Sequence, residues 1–108
     1  MGGSLLVPGT LTVGGSLHAV ALLPNGNVFL AGGQSPPPGL NSGNSTANAQ
    51  LYDYLSNTLT TQPPLLQPRL AFPMVVLPSG QVLISGGANY QSGGTTITIL
   101  KDAELRAF

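Results

Sequence analysis

Two stretches decide the fold: LPNGNVFLAGG at residues 23–33 and LPSGQVLISGG at residues 77–87. Six of their eleven positions are identical. The same offset of 54 residues carries Ala49-Gln50-Leu51 onto Ala103-Glu104-Leu105, and Tyr54 onto Phe108. Because this second match keeps the register across dissimilar residues, the chain contains an internal repeat.

Each repeat has the pattern of short strands joined by turns. The Pro-Asn-Gly and Pro-Ser-Gly triplets supply turn chemistry between apolar runs, and continuous apolar runs of this length are typical of strands covered on both faces. No window has the 3.6-residue period of an amphipathic helix, so the predicted class is all-β. The predicted strands cover 17–23, 27–31, 49–54, 58–62, 70–77, 81–85 and the segment 102–108.

The composition excludes several classes of protein. Only 6% of the 108 residues are charged and the net charge is zero, which argues against a nucleic-acid partner. No apolar run is long enough to span a membrane. There is no cysteine, so disulfides and zinc–cysteine sites are excluded. Because 42% of the residues are hydrophobic, the chain is expected to fold rather than to be disordered.

The segments LHAVALLPNGNVFLAGG (17–33), AQLYDYLSNTLTT (49–61) and PRLAFPMVVLPSGQVLISGG (68–87) resemble successive kelch repeats. Their Leu-Pro-x-Gly turns are most similar to blades of galactose oxidase-like and glyoxal oxidase-like proteins. The resemblance implies four-stranded antiparallel blades of a β-propeller. Two departures are present: Leu59 stands where the family usually has Trp, and Arg106-Ala107 replaces Tyr-Asp in the second repeat.

The phase of the repeat suggests an incomplete propeller. Residues 15–68 are predicted to form one kelch blade and residues 69–108 an incomplete second blade. Residues 1–14 are predicted to be an N-terminal strand that completes a blade in another copy or in a longer chain. Two blades cannot close a ring, since propellers have about four to eight. The uncharged residues 1–52 are then expected to be covered by other blades, or by a glycan if Asn44 is modified.

Several residues are predicted to have structural roles. The glycines allow a positive φ and a close backbone approach; they are Gly26, Gly32, Gly33, Gly80, Gly86 and Gly87. Asp53 is expected to accept hydrogen bonds from backbone amides of the following turn. Arg69 stands at the family's Pro-Arg position, which implies packing and hydrogen bonding between blades, and an Asp53–Arg69 pair is a further option.

His18 is the only histidine, and it lies where copper radical oxidases of this fold have a Tyr-His pair. Its predecessor is Leu17, the family's cross-linked cysteine has no counterpart, and one imidazole cannot form a copper site. We therefore predict no metal, no cofactor and no catalytic residue. His18 is instead expected to be a half-buried histidine at the head of a strand.

The segments 34–48 and 88–96 are predicted to be loops on one face of the two blades. Asn41, Asn44, Tyr90 and Gln91 are candidates for binding a sugar or peptide there, and a solvated loop without a ligand is the alternative. Asn44-Ser45-Thr46 is a glycosylation sequon, which would favour an extracellular or cell-surface location if it is used.

The sequence thus predicts a non-catalytic kelch-like propeller unit, acting as an assembly module or as a protein- or carbohydrate-binding module. Its partners would be other copies or the remaining blades of a longer protein. Two alternatives remain open. One is a fragment of a copper radical oxidase whose active site lies outside this chain. The other is a structural protein that forms filaments through open strand edges.

Overall fold

The computed structural model of the chain describes residues 3–4, 6–13, 16–34 and 43–108. Within these residues the protein is all-β, as predicted, with one short 3₁₀ turn and no α-helix. The strands are β1 (Ala19–Leu22), β2 (Val28–Ala31), β3 (Ala49–Asp53), β4 (Thr58–Gln62), β5 (Met74–Val76), β6 (Val82–Ser85), β7 (Ala88–Gln91), β8 (Thr96–Ile99) and β9 (Ala103–Arg106).

The strands form two antiparallel sheets and one hairpin. Sheet 1 has the order β1-β2-β3-β4, in which each strand pairs with its neighbour in sequence. Sheet 2 has the order β5-β6-β9, and the β7–β8 hairpin is inserted between its second and third strands. The registers of the sheets correspond: Ala21 pairs with Phe29 in sheet 1, and Val75 pairs with Leu83, each 54 residues further on, in sheet 2.

The 54-residue offset also governs individual hydrogen bonds. Leu23 N donates to Asn27 O, and Leu77 N donates to Gln81 O, both at 2.8 Å. These bonds close the two Pro-x-Gly turns with the same geometry. The isolated bridge Ser16–Gln34 likewise recurs as Leu70–Ala88. The repeat therefore extends from the sequence to the backbone hydrogen bonds.

Two of the predicted strands are shorter than expected because the backbone turns sharply near their starts. Leu17 has a φ of 61° and its repeat equivalent Ala71 has a φ of 53°. A positive φ cannot continue an extended strand and is costly for a residue with a Cβ. Strand β1 consequently begins at Ala19 instead of at residue 17, and β5 begins at Met74 instead of at residue 70.

The predicted loop at 88–96 was wrong. This segment contributes strand β7, the 3₁₀ turn Ser92–Gly94 and the first residue of strand β8. The physical reason is the alternation of Thr and Ile at 96–99, which are strong strand formers and which pair with residues 88–91. A hairpin therefore closes on this turn where an irregular loop was expected.

The core lies between the facing sides of the two sheets. Sheet 1 contributes small side chains, including Ala19, Ala21 and Ala31, together with the fully buried Phe29. Sheet 2 contributes Val82 and Ile84, both fully buried. Small residues on one side and branched residues on the other let the sheets approach closely. Phe29 also packs edge-on against Phe108, with ring centroids 4.9 Å apart.

Residues 6–13 lie across the side of sheet 1 that faces away from sheet 2, and they form no strand within the single chain. Gly9 is near Leu59 of β4, and Leu6, Val7 and Leu11 line an apolar groove there. The hypothesis that residues 1–14 complete a blade of another copy concerns a contact between chains and stays a prediction. The same holds for the division into blades at 15–68 and 69–108.

Candidate functional site

Arg69 stands at the junction of the two sheets, and its side chain is fully buried. Its Nη1 donates to Gly86 O at 2.8 Å, and its Nη2 donates to Asp102 Oδ2 at 3.1 Å. Its backbone carbonyl accepts a hydrogen bond from Gly33 N at 2.9 Å, on the side of the first repeat. One residue thus bonds to both repeats.

The ion pair of Arg69 is formed with Asp102 and not with Asp53. Asp102 is 38% exposed, and its Oδ2 also accepts a bond from Gln67 Nε2 at 2.8 Å. The guanidinium lies 6.0 Å from the centre of the Phe72 ring. Within the described residues, Arg69 Nε and Asp102 Oδ1 are buried without a hydrogen-bond partner. A fully buried cation with a partly exposed counter-charge is costly to desolvate, so this junction depends on the ion pair.

Gly32 lies directly against this junction. A Cβ at this position would meet the Phe72 ring and would lie 2.6 Å from Arg69 O. Its repeat equivalent Gly86 has nearly the same φ, 66° against 69°, but its nearest neighbour would be Leu100 O at 3.9 Å. Only glycine fits at residue 32, whereas at residue 86 a side chain is opposed by backbone strain alone. All of the glycines predicted to be structural have a positive φ: Gly26, Gly32, Gly33, Gly80, Gly86 and Gly87.

Asp53 caps a turn between β3 and β4. Its Oδ1 accepts hydrogen bonds from Leu55 N at 3.0 Å and from Ser56 N at 3.4 Å. The preceding Tyr52 donates its Oη proton to Asn57 Oδ1 at 2.8 Å. Both side chains therefore hold the turn, and their hydrogen bonds are made within it.

Gln50 is a structural residue that the sequence reasoning missed. It is 2% exposed, and its Oε1 accepts hydrogen bonds from Thr12 N at 2.9 Å and Val13 N at 3.4 Å. Its Nε2 donates to Thr10 O at 2.9 Å. The side chain therefore anchors the segment 10–13 to sheet 1. The match of Ala-Gln-Leu with Ala-Glu-Leu was the only signal available.

The same contact recurs in the second repeat. Glu104 Oε1 accepts a hydrogen bond from Leu66 N at 3.0 Å, so donor and acceptor are both 54 residues beyond Thr12 and Gln50. We call each such contact, Gln50 with segment 10–13 and Glu104 with Leu66, a repeat clamp. The third strand of each repeat thereby holds the segment that precedes the first strand of that repeat.

Arg106 contributes a second cationic contact at the interface between the sheets. Its guanidinium lies 5.1 Å from the centre of the Phe29 ring and donates to the carbonyls of Pro63 and Pro64. Burial lowers the pKa of Arg106 from its ordinary value, and the neighbouring Glu104 opposes this shift. This arginine joins the last strand to the linker between the repeats.

The candidate binding residues of the second half lie on the β7–β8 hairpin. Tyr90 and Gln91 are in strand β7, and Gln91 Nε2 donates to Asn89 Oδ1 at 2.6 Å. Asn44 Oδ1 accepts a hydrogen bond from Gly93 N at 2.8 Å and so steadies the hairpin turn. Asn41, the fourth candidate, lies outside the described residues. The three described candidates share one region: the Gln91 and Asn44 side chains bond to the hairpin, and the Tyr90 backbone bonds to Ser45.

His18 precedes β1 and is partly buried, and its Nδ1 is buried without a hydrogen-bond partner in the described part of the chain. Among the residues that the structure describes, no cluster of three or more His, Cys, Asp or Glu side chains could hold a metal ion. The same part of the chain contains no helix of the length and hydropathy needed to cross a membrane.

The described residues line two grooves outside the core. The first, of about 330 Å³, separates the equivalent turns at Asn25 and Ser79 and ends at Phe108. The second, of about 400 Å³, lies between residues 6–11 and sheet 1. Its lining is almost wholly apolar and comprises Leu6, Val7, Gly9, Leu11, Val28, Leu30, Tyr52 and Leu59.

The outer faces of the two sheets are also apolar. We define the outer face of sheet 1 as Val20, Leu22, Val28, Leu30 and Tyr52, and the outer face of sheet 2 as Val75, Leu83 and Leu105. Val20, Leu22, Val75 and Leu105 are all more than half exposed.

Compared with known proteins, the chain matches no family model, and no curated protein is significantly similar to it.

Proposed function

We propose that this chain is a non-catalytic unit of a kelch-like propeller and that it functions by packing further units of its own kind onto its two outer faces. The observation that carries this proposal is an equivalence between faces. Through the 54-residue offset, the outer face of each sheet corresponds to the face that the other sheet buries in the core. The chain thus has the two complementary halves of one interface on opposite sides.

The outer face of sheet 2 corresponds to the buried face of sheet 1. Val75, Leu83 and Leu105 are the equivalents of Ala21, Phe29 and Leu51. Ala21 and Phe29 are buried against sheet 2, whereas Val75 and Leu105 are each 52% exposed. A further unit seated on the outer face of sheet 2 would bury these side chains as sheet 2 buries their equivalents.

The outer face of sheet 1 corresponds in turn to the buried face of sheet 2. Val20, Leu22 and Leu30 are the equivalents of Met74, Val76 and Ile84, which pack in the core. The linker follows the same rule: Leu65 is 4% exposed between the sheets, while its equivalent Leu11 is 59% exposed on the outer face. These side chains are apolar and uncharged, which favours a protein unit over a polar glycan as the partner.

A contact of this kind is head-to-tail, because the outer face of sheet 2 meets a different face of the next unit. Such interfaces close into a ring when a whole number of units completes one full rotation. They extend into a filament when it does not. The further units are other copies of the chain or other blades of a longer polypeptide. The ring corresponds to a propeller, and the filament is the second assembly that the same faces support.

The native mass of the purified chain at micromolar concentration tests the proposal. The wild type is expected to exceed the 10.9 kDa of one chain. Leu22→Asp and Val75→Asp each place a charge on one outer face and should have a lower native mass than the wild type, since an unpaired charge is costly to bury. Leu55→Asp is the matched control: Leu55 is 81% exposed in the β3–β4 turn, and this variant should retain the wild-type mass.

Mixing the two charged variants makes the test specific for head-to-tail packing. Leu22→Asp retains an intact sheet 2 face, and Val75→Asp retains an intact sheet 1 face, so an equimolar mixture should have a larger native mass than either variant alone. A well-folded wild-type monomer of 10.9 kDa, variants with the wild-type mass, or a mixture no larger than its components contradicts the proposal. Electron microscopy then separates rings from filaments.

A further inference from the structure

The β7–β8 hairpin is bonded to the rest of the protein through one of its two edges. Ala88 N and O both bond to Leu70, and Tyr90 O accepts from Ser45 N at 2.7 Å. These bonds lie on the side of β7 that faces away from β8. Among the described residues, no strand pairs with the other edge of β8. The hairpin therefore has one satisfied edge and one open edge.

The register identifies the groups on the open edge. Leu100 N donates to Gly87 O at 2.9 Å, and Thr98 pairs with Asn89 in the same hairpin. Because backbone groups alternate in direction along an antiparallel strand, the N–H and C=O groups of Thr98 point toward β7. The N–H and C=O groups of Ile97 and Ile99 therefore point outward. These are the four backbone groups that an added strand would bond.

The side chains of β8 are unusual for an open edge. Ile97 and Ile99 share one face of the strand and are 52% and 67% exposed. The segment 95–100, Thr-Thr-Ile-Thr-Ile-Leu, contains no charge, proline or glycine. Proteins usually protect edge strands with lysine, proline or a bulge, and an apolar β-branched edge without them pairs readily with another strand.

We propose that β8 pairs with β8 of a second copy, antiparallel and about a two-fold axis at Thr98. The sequence of the strand is self-complementary in this register. Ile97 lies opposite Ile99 of the second copy and Ile99 opposite Ile97, so all four isoleucines share one face. The outward backbone groups of these residues then form two hydrogen-bonded pairs. Registers centred on Ile97 or Ile99 also match backbone groups, but neither of them places every isoleucine opposite another isoleucine.

The charges and the location are compatible with this pairing. In the register centred on Thr98, Lys101 lies opposite Thr95 of the second copy, so the two lysines do not face each other. A second copy of the same chain is the partner that matches the self-complementary pattern, since a two-fold interface uses one patch twice. The surface is separate from both outer faces, and the inference does not depend on head-to-tail assembly.

Cysteine cross-linking tests the register directly, because the chain has no native cysteine. At the centre of the pairing, Thr98 faces its own copy as a non-hydrogen-bonded pair, with Cα atoms about 4.5 Å apart, which a disulfide can bridge. The two copies of Thr96 would be separated by four residues along the strands, or roughly 13 Å. Thr98→Cys should therefore form covalent dimers at least about tenfold faster than Thr96→Cys under mild oxidation.

Both cysteine variants are made in the Val75→Asp background, so that head-to-tail packing does not contribute to the cross-linking. Adding Ile99→Lys to Thr98→Cys should slow dimer formation to the rate of Thr96→Cys, because the lysine replaces an isoleucine in the four-residue cluster. Circular dichroism verifies that each variant is folded. Equal rates for the two cysteine positions, as random collision or parallel stacking would give, overturn the proposal. So does a Thr98→Cys rate that Ile99→Lys leaves unchanged.

Discussion

Asp102→Asn is expected to destabilise the protein more than Arg69→Met, although the asparagine change preserves the shape of the side chain. Arg69 is fully buried, and within the described residues its single ion-pair partner is Asp102. Replacing the carboxylate by an amide leaves a buried cation among neutral acceptors. Removing one member of a fully buried pair costs about 3–5 kcal/mol of the free energy of unfolding, and because solvent screens the 38% exposed Asp102, we expect a cost in the lower half of this range.

Arg69→Met removes the cation itself, so the remaining cost is smaller. Methionine fills a similar volume, and Asp102 is 38% exposed and keeps its hydrogen bond from Gln67 Nε2. The Gly86 carbonyl loses its bond from Arg69 Nη1 and is the principal group left without a partner. One unsatisfied buried group costs about 1–3 kcal/mol, so we expect the two single variants to differ by about 2 kcal/mol.

Urea unfolding of both single variants and the double variant at one fixed protein concentration measures these costs. Arg69→Met should rescue Asp102→Asn, so that the double variant is no less stable than the asparagine variant alone. If the two costs add, or if Arg69→Met is the more damaging single change, the buried cation does not depend on its counter-charge and the reasoning is refuted. The expected losses are a large part of the roughly 5–15 kcal/mol that stabilises a typical domain.

The remaining predictions concern the glycines and the repeat clamp. Gly86→Ala should lower the free energy of unfolding by about 1–2 kcal/mol through backbone strain alone. Gly32→Ala should lower it by at least about 2 kcal/mol more, because a Cβ at residue 32 has no space. Equal costs in urea unfolding would contradict the close approach described above. Gln50→Leu should cost about 1–3 kcal/mol and should abolish the protection of the Thr12 and Val13 amides in hydrogen exchange. Unchanged protection would show that the segment is held by other contacts.

The strands were predictable where local chemistry determines them. Thr58–Gln62 was predicted with the bounds that the structure has, because turn residues and Thr-rich alternation mark both of its ends. The strand Ala103–Arg106 followed from the repeat alone, since its own composition tolerates a helix. The late starts of β1 and β5 were not predictable. They follow from the positive φ of Leu17 and Ala71, and a positive φ at a non-glycine residue is imposed by tertiary contacts.

The junction was predictable only in part. A Pro-Arg match located Arg69, but its counter-charge Asp102 is 33 residues away and the sequence contains no pattern that joins them. The match of Ala-Gln-Leu with Ala-Glu-Leu marks Gln50 but does not identify its partners, because the contacts of a buried amide with a distant backbone segment depend on how that segment crosses the sheet. Such long-range contacts are the part of a site that periodicity and turn chemistry do not encode.

The two repeat clamps affect how further repeats can be added to such a chain. Each clamp lies wholly within one 54-residue repeat unit, which we call a cassette. The cassette includes both the Gln50 or Glu104 side chain and the preceding segment to which that side chain bonds. Duplicating a cassette therefore also copies the contact that orients it after its predecessor. In linear repeat proteins, stability is approximately a sum of the units and their nearest-neighbour contacts. A cassette inserted between residues 62 and 63 would bring its own clamp and require no new anchoring contact at the joint.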